Sequence, residues 1–427
     1  MKVLVLCAVA IGLVFPKTAV TQSESAWRTH NRAATAARAS GDTAAYRMHV
    51  AALEQEVGAT PRLATNLARL AFLMHDTSAA RRWTQNAAAM GVPLDSDIVA
   101  QYGKVNGSRA VEQLQARQHE ASRTIDHSAF AWQLNDTDMI AEDLAYDIER
   151  KRFLVTSVHR GGVYAIYQNG FMSTLVRPDP RLWGTFAVGI DSRRQALWVT
   201  TAAFPGTAYY TRGDSGKSAL LEYDLVSGML RQTYSSIDGG VHAFGDLTIA
   251  TDGAVYLADG FGGGVSVALP GSKVLKAVVP SGTFASPQTP VVAADGRRLL
   301  VPDYVFGIAS IDLASSQWHW LHHPDSLALN GIDGLYWSGG DLIAVQNGVE
   351  PNRISRLALL ADSAVTRTEV MGRGGQFADL NHALILGDRL YFIERSGWSR
   401  MADDGKMTAG IASDAPQLRW IPIRSPH

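Results

Sequence analysis

The spacing of apolar and polar positions changes once along the 427-residue chain. From about Ala26 to Thr124 apolar residues recur at helical intervals, as at Leu63, Leu67, Leu70 and Leu73, within a background of Ala, Arg, Gln and Glu. Asp42, Asp76 and Ser108 stand where N-caps are expected, and Pro61 and Pro93 lie near helix starts, where a missing N–H is tolerated. The pattern predicts antiparallel helical hairpins over residues 24–124. Behind Arg123-Thr124-Ile125-Asp126 the texture becomes short β-rich segments punctuated by Gly, Asp and Asn, and it stays so through residues 128–427.

Both halves repeat. In the front half, Gly41-Asp42-Thr43-Ala44-Ala45 is echoed by His75-Asp76-Thr77-Ser78-Ala79 at an offset of 34 residues, with a looser echo at Asn106-Gly107-Ser108. This segment resembles a short tetratricopeptide or Sel1-like array, which implies either a groove for a partner or a set of helices that caps the next domain. In the back half, two-strand units begin at Glu142, Val188, Gly245, Thr289, Asp333 and Asn381, with spacings of 46, 57, 44, 44 and 48 residues. That is the period of a four-stranded blade, so the expected fold is mainly β: a six-bladed β-propeller preceded by a small all-α helical-repeat domain. The clearest unit is Asn330–Gly348, where Leu335-Tyr336-Trp337 turns at Ser338-Gly339-Gly340-Asp341 and returns as Leu342-Ile343-Ala344-Val345.

Outer strands are expected at 162–166, 218–223 and 308–311, and the extra length before Gly245 falls in a loop over 203–217. A propeller must close, and Phe130–Leu134 and Leu418–Ile423 are the candidate closing strands. The Gly-rich stretch at 260–264 precedes no helix, so it reads as a blade turn rather than a phosphate loop.

Charge and composition narrow the partners. The balance of 39 basic against 40 acidic side chains gives no electrostatic case for nucleic acid or an anionic membrane. Met1-Lys2 followed by VLVLCAVAIGLVF, then Pro16 and the small residues at 19–21, reads as a signal peptide over residues 1–22; an uncleaved anchor is the alternative. Cleavage would leave a periplasmic or secreted protein with no membrane segment. Cys7, the only cysteine, would leave with the leader, so no disulfide or thiolate metal site is expected.

Chemistry gathers where polar residues replace the apolar ones that an inner strand should carry. In this topology the six unit starts share one rim of the central channel, which places Glu142, Asp143, Asp246, Thr289, Asp333, Asn381 and His382 together, with Asn347 at a hairpin exit on the same rim. Carboxylates crowded at a channel mouth must be protonated, paired with a cation or neutralised by metal. Glu142, Asp143, Asp246 and Asp333 are hard oxygen ligands suited to Ca²⁺ or Mg²⁺, with Glu142, Asp246 and Asp333 the candidate metal set, and Asp333 and His382 are the candidates for moving a proton. Each Asp can instead cap a turn through its own backbone.

The strand starts Glu142-Asp143-Leu144, Gly245-Asp246-Leu247, Thr289-Pro290 and Asp333-Gly334-Leu335 are similar to those of the calcium-dependent propellers that include gluconolactonase, regucalcin, paraoxonase and strictosidine synthase relatives. The resemblance spans roughly Asp138 to the C-terminus. It implies Ca²⁺ at the channel, hydrolysis of a lactone or ester, and a combined metal and base role for Asp333. The asparagines of that family's middle blades are Gly245 and Thr289 here, so the resemblance implies either a weakened metal site or one repurposed without metal. Two readings of function stand side by side: an exported lactone or ester hydrolase, and a non-catalytic module holding a ligand, or a protein partner through its helical repeats.

Overall fold

The computed structural model describes residues 25–91, 93–236, 238–361, 363–375, 377–411 and 414–423. The expected leader over residues 1–22, with Cys7, lies outside the described residues. Among the described residues six helices come first: α1 (Ala26–Ser40), α2 (Thr43–Val57), α3 (Pro61–Leu73), α4 (Thr77–Ala89), α5 (Ser96–Asn106) and α6 (Ser108–Ser122). Asp42 accepts the Ala45 N–H and Asp76 the Ala79 N–H, so both expected caps form. Thr60 does the same for Leu63, with Pro61 as the first residue of α3. One cap is corrected: Gly107 occupies the N-cap position of α6, and Ser108 is its first helical residue with no cap bond from a side chain. The corner between α5 and α6 needs the positive φ of 82° found at Gly107, a conformation serine adopts only with strain. None of the described helices is long and apolar enough to cross a membrane.

The helices do not form a closed core by themselves. Trp27, Val50, Leu53, Leu63, Leu67 and Trp83 share one buried cluster with Phe306 and Ala328 of the β domain. The Trp27 ring meets Phe306 edge-on at 5.1 Å, and its indole N–H donates to the Thr283 carbonyl at 2.9 Å. Arginines fasten the margins: Arg28 donates to the carbonyls of Gly282 and Phe284, Arg353 to Met90, and Arg373 to Glu120 and Arg123. The helical layer is therefore a packed cap on the β domain.

That domain is six four-stranded antiparallel sheets, and the predicted hairpins are the two inner strands of all six. The closing strand β1 (Ala129–Gln133) opens the domain. Blade 1 is β2 (Ala141–Asp147), β3 (Arg152–Ser157), β4 (Val163–Tyr167) and β5 (Met172–Val176); blade 2 is β6 (Gly184–Asp191), β7 (Ala196–Ala202), β8 (Ser218–Asp224) and β9 (Leu230–Ser235). Blade 3 is β10 (Phe244–Ile249), β11 (Val255–Asp259), β12 (Gly264–Ala268) and β13 (Lys276–Val279); blade 4 is β14 (Val291–Val292), β15 (Arg298–Pro302), β16 (Ile308–Asp312) and β17 (Trp318–Trp320). Blade 5 is β18 (Ile332–Ser338), β19 (Asp341–Gln346), β20 (Arg353–Leu360) and β21 (Ala364–Arg373). Blade 6 joins β22 (Ala383–Leu386), β23 (Arg389–Glu394) and β24 (Gln417–Pro422) to β1, so strands from both ends of the domain close the ring. The stretch 260–263 turns between β11 and β12, as expected.

Apolar faces of neighbouring blades interdigitate, as where Leu154, Val163 and Val188 meet Leu197 and Leu221. Near the axis the inner strands come so close that side chains must be omitted. A Cβ at Gly189 of β6 would lie 2.7 Å from Leu247 of β10.

Removing residues 25–124 would expose Phe306 and Ala328, take the Met90 carbonyl from Arg353 and take the Glu120 and Arg123 carbonyls from Arg373. A chain beginning at Ile125 is expected to melt at a lower temperature and to bind a hydrophobic dye. An unchanged midpoint in a thermal scan would show that the helical layer is not part of the stabilising core.

Candidate functional site

Four inner strands begin with a register shift. In β2 it falls between Ala141 and Leu144, in β6 between Thr185 and Val188, in β10 between Phe244 and Asp246, and in β18 between Ile332 and Gly334. Glu142, Asp143 and Asp333 therefore sit inside bulges, and Asp246 follows one directly. A bulge releases a residue from the ladder and re-aims its side chain, which is how strand residues come to point at the channel. It also frees backbone groups that need new partners. The Glu142 carbonyl takes His382 Nδ1 at 2.9 Å, and the Asp333 carbonyl takes the Thr289 N–H at 3.3 Å.

His382 is the centre of the arrangement and is 2 % exposed. A carbonyl only accepts, so the contact with Glu142 puts a proton on Nδ1. The other nitrogen, Nε2, lies 2.8 Å from Asp246 Oδ1 and 4.0 Å from Asp333 Oδ1, and with carboxylates there it too carries a proton. That second N–H is not aligned on an acceptor, so charge rather than a linear hydrogen bond holds it. Burial opposes the imidazolium, but Asp333, Asp246 and Asp143 overcome this and raise its pKa well above the ordinary histidine value.

The carboxylates are sorted by environment. Glu142 is desolvated and faces Asp333, which pushes its pKa up to about 8 despite His382 and the N–H groups of Trp398 and Asn381 that reach it. It holds a proton at neutral pH. Asp143 is pushed up to about 6 by burial, moderated by His382 and by the N–H groups of Val188 and Leu144. Burial also raises Asp333, against the pull of His382. With its side chain 15 % exposed, Asp333 is more open to water than Asp246 or His382.

The predicted site residues thus assemble, with different tasks. Asn381 donates to Glu142 Oε2 at 2.7 Å, and Asn347 donates to Asp333 Oδ2 at 2.6 Å while accepting from the Tyr304 hydroxyl. Thr289 Oγ1 lies 2.6 Å from Asp246 Oδ1 and 2.9 Å from the Asp333 carbonyl. Asp143 accepts the Val188 N–H at 2.8 Å and ties blade 1 to blade 2 rather than facing the channel freely. Of the other hairpin exits, Asp303 accepts backbone N–H groups of its own loops and Asp259 turns to His242, so neither joins the ring.

Sequence reasoning passes over Trp398 and Tyr336. The indole N–H of Trp398 donates to Glu142 Oε2, and the Tyr336 hydroxyl accepts the Ala383 N–H at 2.6 Å. The signal for Trp398 was the long 395–416 connection on the functional rim, since long loops in compact domains are commonly functional. Part of that connection packs with the 203–217 loop: Phe186, Phe204 and Met401 form a buried layer with Ile140 and Ala243, joined by Phe261 and Trp398. This apolar layer borders the ring.

A calcium shell needs six to eight oxygens turned toward one point. Here one oxygen of each carboxyl is already engaged: Glu142 Oε2 by Asn381 and Trp398, Asp246 Oδ1 by Thr289 and His382, and Asp333 Oδ2 by Asn347. Among the described residues no group of three or more His, Cys, Asp and Glu side chains is arranged to hold a metal ion. The expected ligands Glu142, Asp246 and Asp333 come together in one hydrogen-bonded ring.

No protein-family model and no curated protein matches the chain. Solved structures similar to it include a gluconolactonase from Xanthomonas campestris, at 14% identity and a TM-score of 0.48 over 71% of this chain and 92% of that one. The PQQ-bound aldose sugar dehydrogenase of Streptomyces coelicolor aligns at 13% identity and a TM-score of 0.47, over 70% and 97% of the two chains. Virginiamycin B lyase from Staphylococcus aureus aligns at 12% identity and a TM-score of 0.44, over 70% and 99%. At such distances no activity is carried over, and the functional reading rests on this chain's own residues.

Asp246→Ala removes the nearest anion from a buried imidazolium and the acceptor of Thr289. It is expected to cost about 3 kcal/mol or more of unfolding free energy in urea at pH 7. A loss below about 1 kcal/mol would show that the pair does not hold the ring together.

Proposed function

We propose that the ring hydrolyses a lactone or an ester by general acid–base catalysis, in an exported protein. The observation that carries this reading is the buried His382 imidazolium, whose unaligned Nε2–H stands 4.0 Å from the partly exposed Asp333, in a ring where the Glu142 pKa is pushed up to about 8. A carboxyl pushed up to about 8 beside a buried imidazolium supplies an acid for such chemistry at neutral pH. The bordering layer of Phe186, Phe204, Phe261 and Met401 suits a neutral substrate that is apolar around one carbonyl.

In this scheme Asp333 takes a proton from water as the water oxygen bonds to the carbonyl carbon. The imidazolium of His382 stabilises the negative charge that develops on the carbonyl oxygen. When the intermediate collapses, the C–O bond to the leaving oxygen breaks and that oxygen takes the proton of Glu142. Solvent then returns the proton from Asp333 to Glu142. Asn347 orients Asp333, and Asn381 and Trp398 orient Glu142.

Calcium, which the sequence resemblance implies, has no step in this scheme. Export rests on the leader-like N-terminus. Capture of a protein partner by the helical repeats is the weaker reading, since the apolar stripes of α1 to α4 are spent on Phe306 and Ala328.

Asp333→Asn and Glu142→Gln are each expected to lower kcat/KM on a lactone and aryl-ester panel by about 10²- to 10⁴-fold while the protein stays folded. The rate should fall as pH rises through about 8, where Glu142 loses its proton. Activity unaffected by EDTA supports the scheme. Activity and thermal stability that collapse together on chelation would overturn it in favour of a calcium site, and a chain inactive on the whole panel would remove the hydrolase reading.

A further inference from the structure

Blade 3 holds a second histidine between carboxylates, away from the channel ring. His242 Nδ1 lies 2.5 Å from Asp259 Oδ2, and its Nε2 lies 2.8 Å from Asp238 Oδ1. The two carboxylates are held very differently. Asp259 is buried, and its Oδ1 accepts the N–H groups of Ala243 at 2.9 Å and Gly262 at 2.8 Å, so the fold fixes its position. Asp238 has a side chain 56 % exposed and stands beside exposed Gly239 and Gly240, with one backbone donor of its own, Gly240 N at 2.7 Å.

The imidazole, Asp238 and Asp259 line a cavity of about 240 Å³. Its remaining walls are mainly apolar, from Phe244, Ala277, Val279 and Pro280, with two hydroxyl-bearing residues, Ser266 and Ser281. If Asp238 leaves, the group that lacks a partner is a donor, the Nε2–H of a cation. Both oxygens of Asp259 are already engaged, Oδ1 by two backbone N–H groups and Oδ2 by the imidazole itself. The vacancy therefore calls for an anion with a small apolar body.

We propose that this cavity binds a small monocarboxylate, whose carboxylate replaces Asp238 on His242 Nε2 while its apolar part lies against Phe244 and Val279. Asp238 is then a tethered competitor that occupies the site when it is empty. The exchange conserves charge, one carboxylate for another. Although burial works against the charge, Asp259 and Asp238 push the His242 pKa up to about 9, so the imidazolium is present at neutral pH. The inference does not depend on the reaction assigned to the channel ring.

Butyrate binding to the full chain at pH 7, read by calorimetry, tests this, with butanol and butylamine as controls. A tethered carboxylate competes at an effective concentration on the order of millimolar. Asp238→Ala is therefore expected to bind butyrate at least five-fold more tightly than the unaltered chain, with neither control binding comparably. In that background Ala277→Trp, which fills the cavity mouth without touching the His242–Asp259 pair, should abolish binding, and His242→Gln should do the same. The proposal is overturned if Asp238→Ala gains no affinity, if butanol or butylamine matches butyrate, or if Ala277→Trp leaves binding unchanged.

Discussion

Closing six sheets into a ring forces their first strands together at an axis too narrow for a conventional core, and the polar groups released there must bond across blades. His382 and Asn381 of blade 6 reach Glu142 of blade 1, and Asp143 reaches the Val188 N–H of blade 2. Asp246 of blade 3 meets both Thr289 of blade 4 and His382 of blade 6, and Thr289 reaches the Asp333 carbonyl of blade 5. The same groups thus close the propeller and form the candidate site. Buried polar networks of this kind are costly when incomplete, so the site and the fold are coupled energetically.

Both histidine centres use one physical device. A buried acceptor fixes Nδ1, the Glu142 carbonyl for His382 and the Asp259 carboxylate for His242, and this presents Nε2–H to a second carboxylate. What differs is the second partner. Asp246 is as buried as His382 itself and linked to Thr289, whereas Asp238 stands on an exposed stretch beside a cavity. The first histidine faces a buried carboxylate, and the second an exposed one.

The helical layer adds stability to one sector of the ring without reaching the channel groups. Trp27 and Arg28 bind it to the loop between blades 3 and 4, and Arg353 and Arg373 of blade 5 reach back to its carbonyls. Its amphipathic helices were plain from their spacing, but an apolar stripe does not name what will cover it. That Phe306 and Ala328 cover it emerges only in the assembled molecule.

The sequence by itself determined the six hairpins, the helices and most of their caps, because period-two alternation, Asp and Gly turns and Asp caps act within a few residues. It also placed Glu142, Asp246, Asp333, Asn381 and His382 on one rim, since each sits at the same phase of a repeat. Only the tertiary structure decided what those residues do. Whether a carboxylate meets an imidazolium, an indole or a metal depends on bulges that re-aim the strand and on partners up to 256 positions away, as for Trp398 and Glu142. Local pattern carries no record of such pairings, which exist only once the ring has closed.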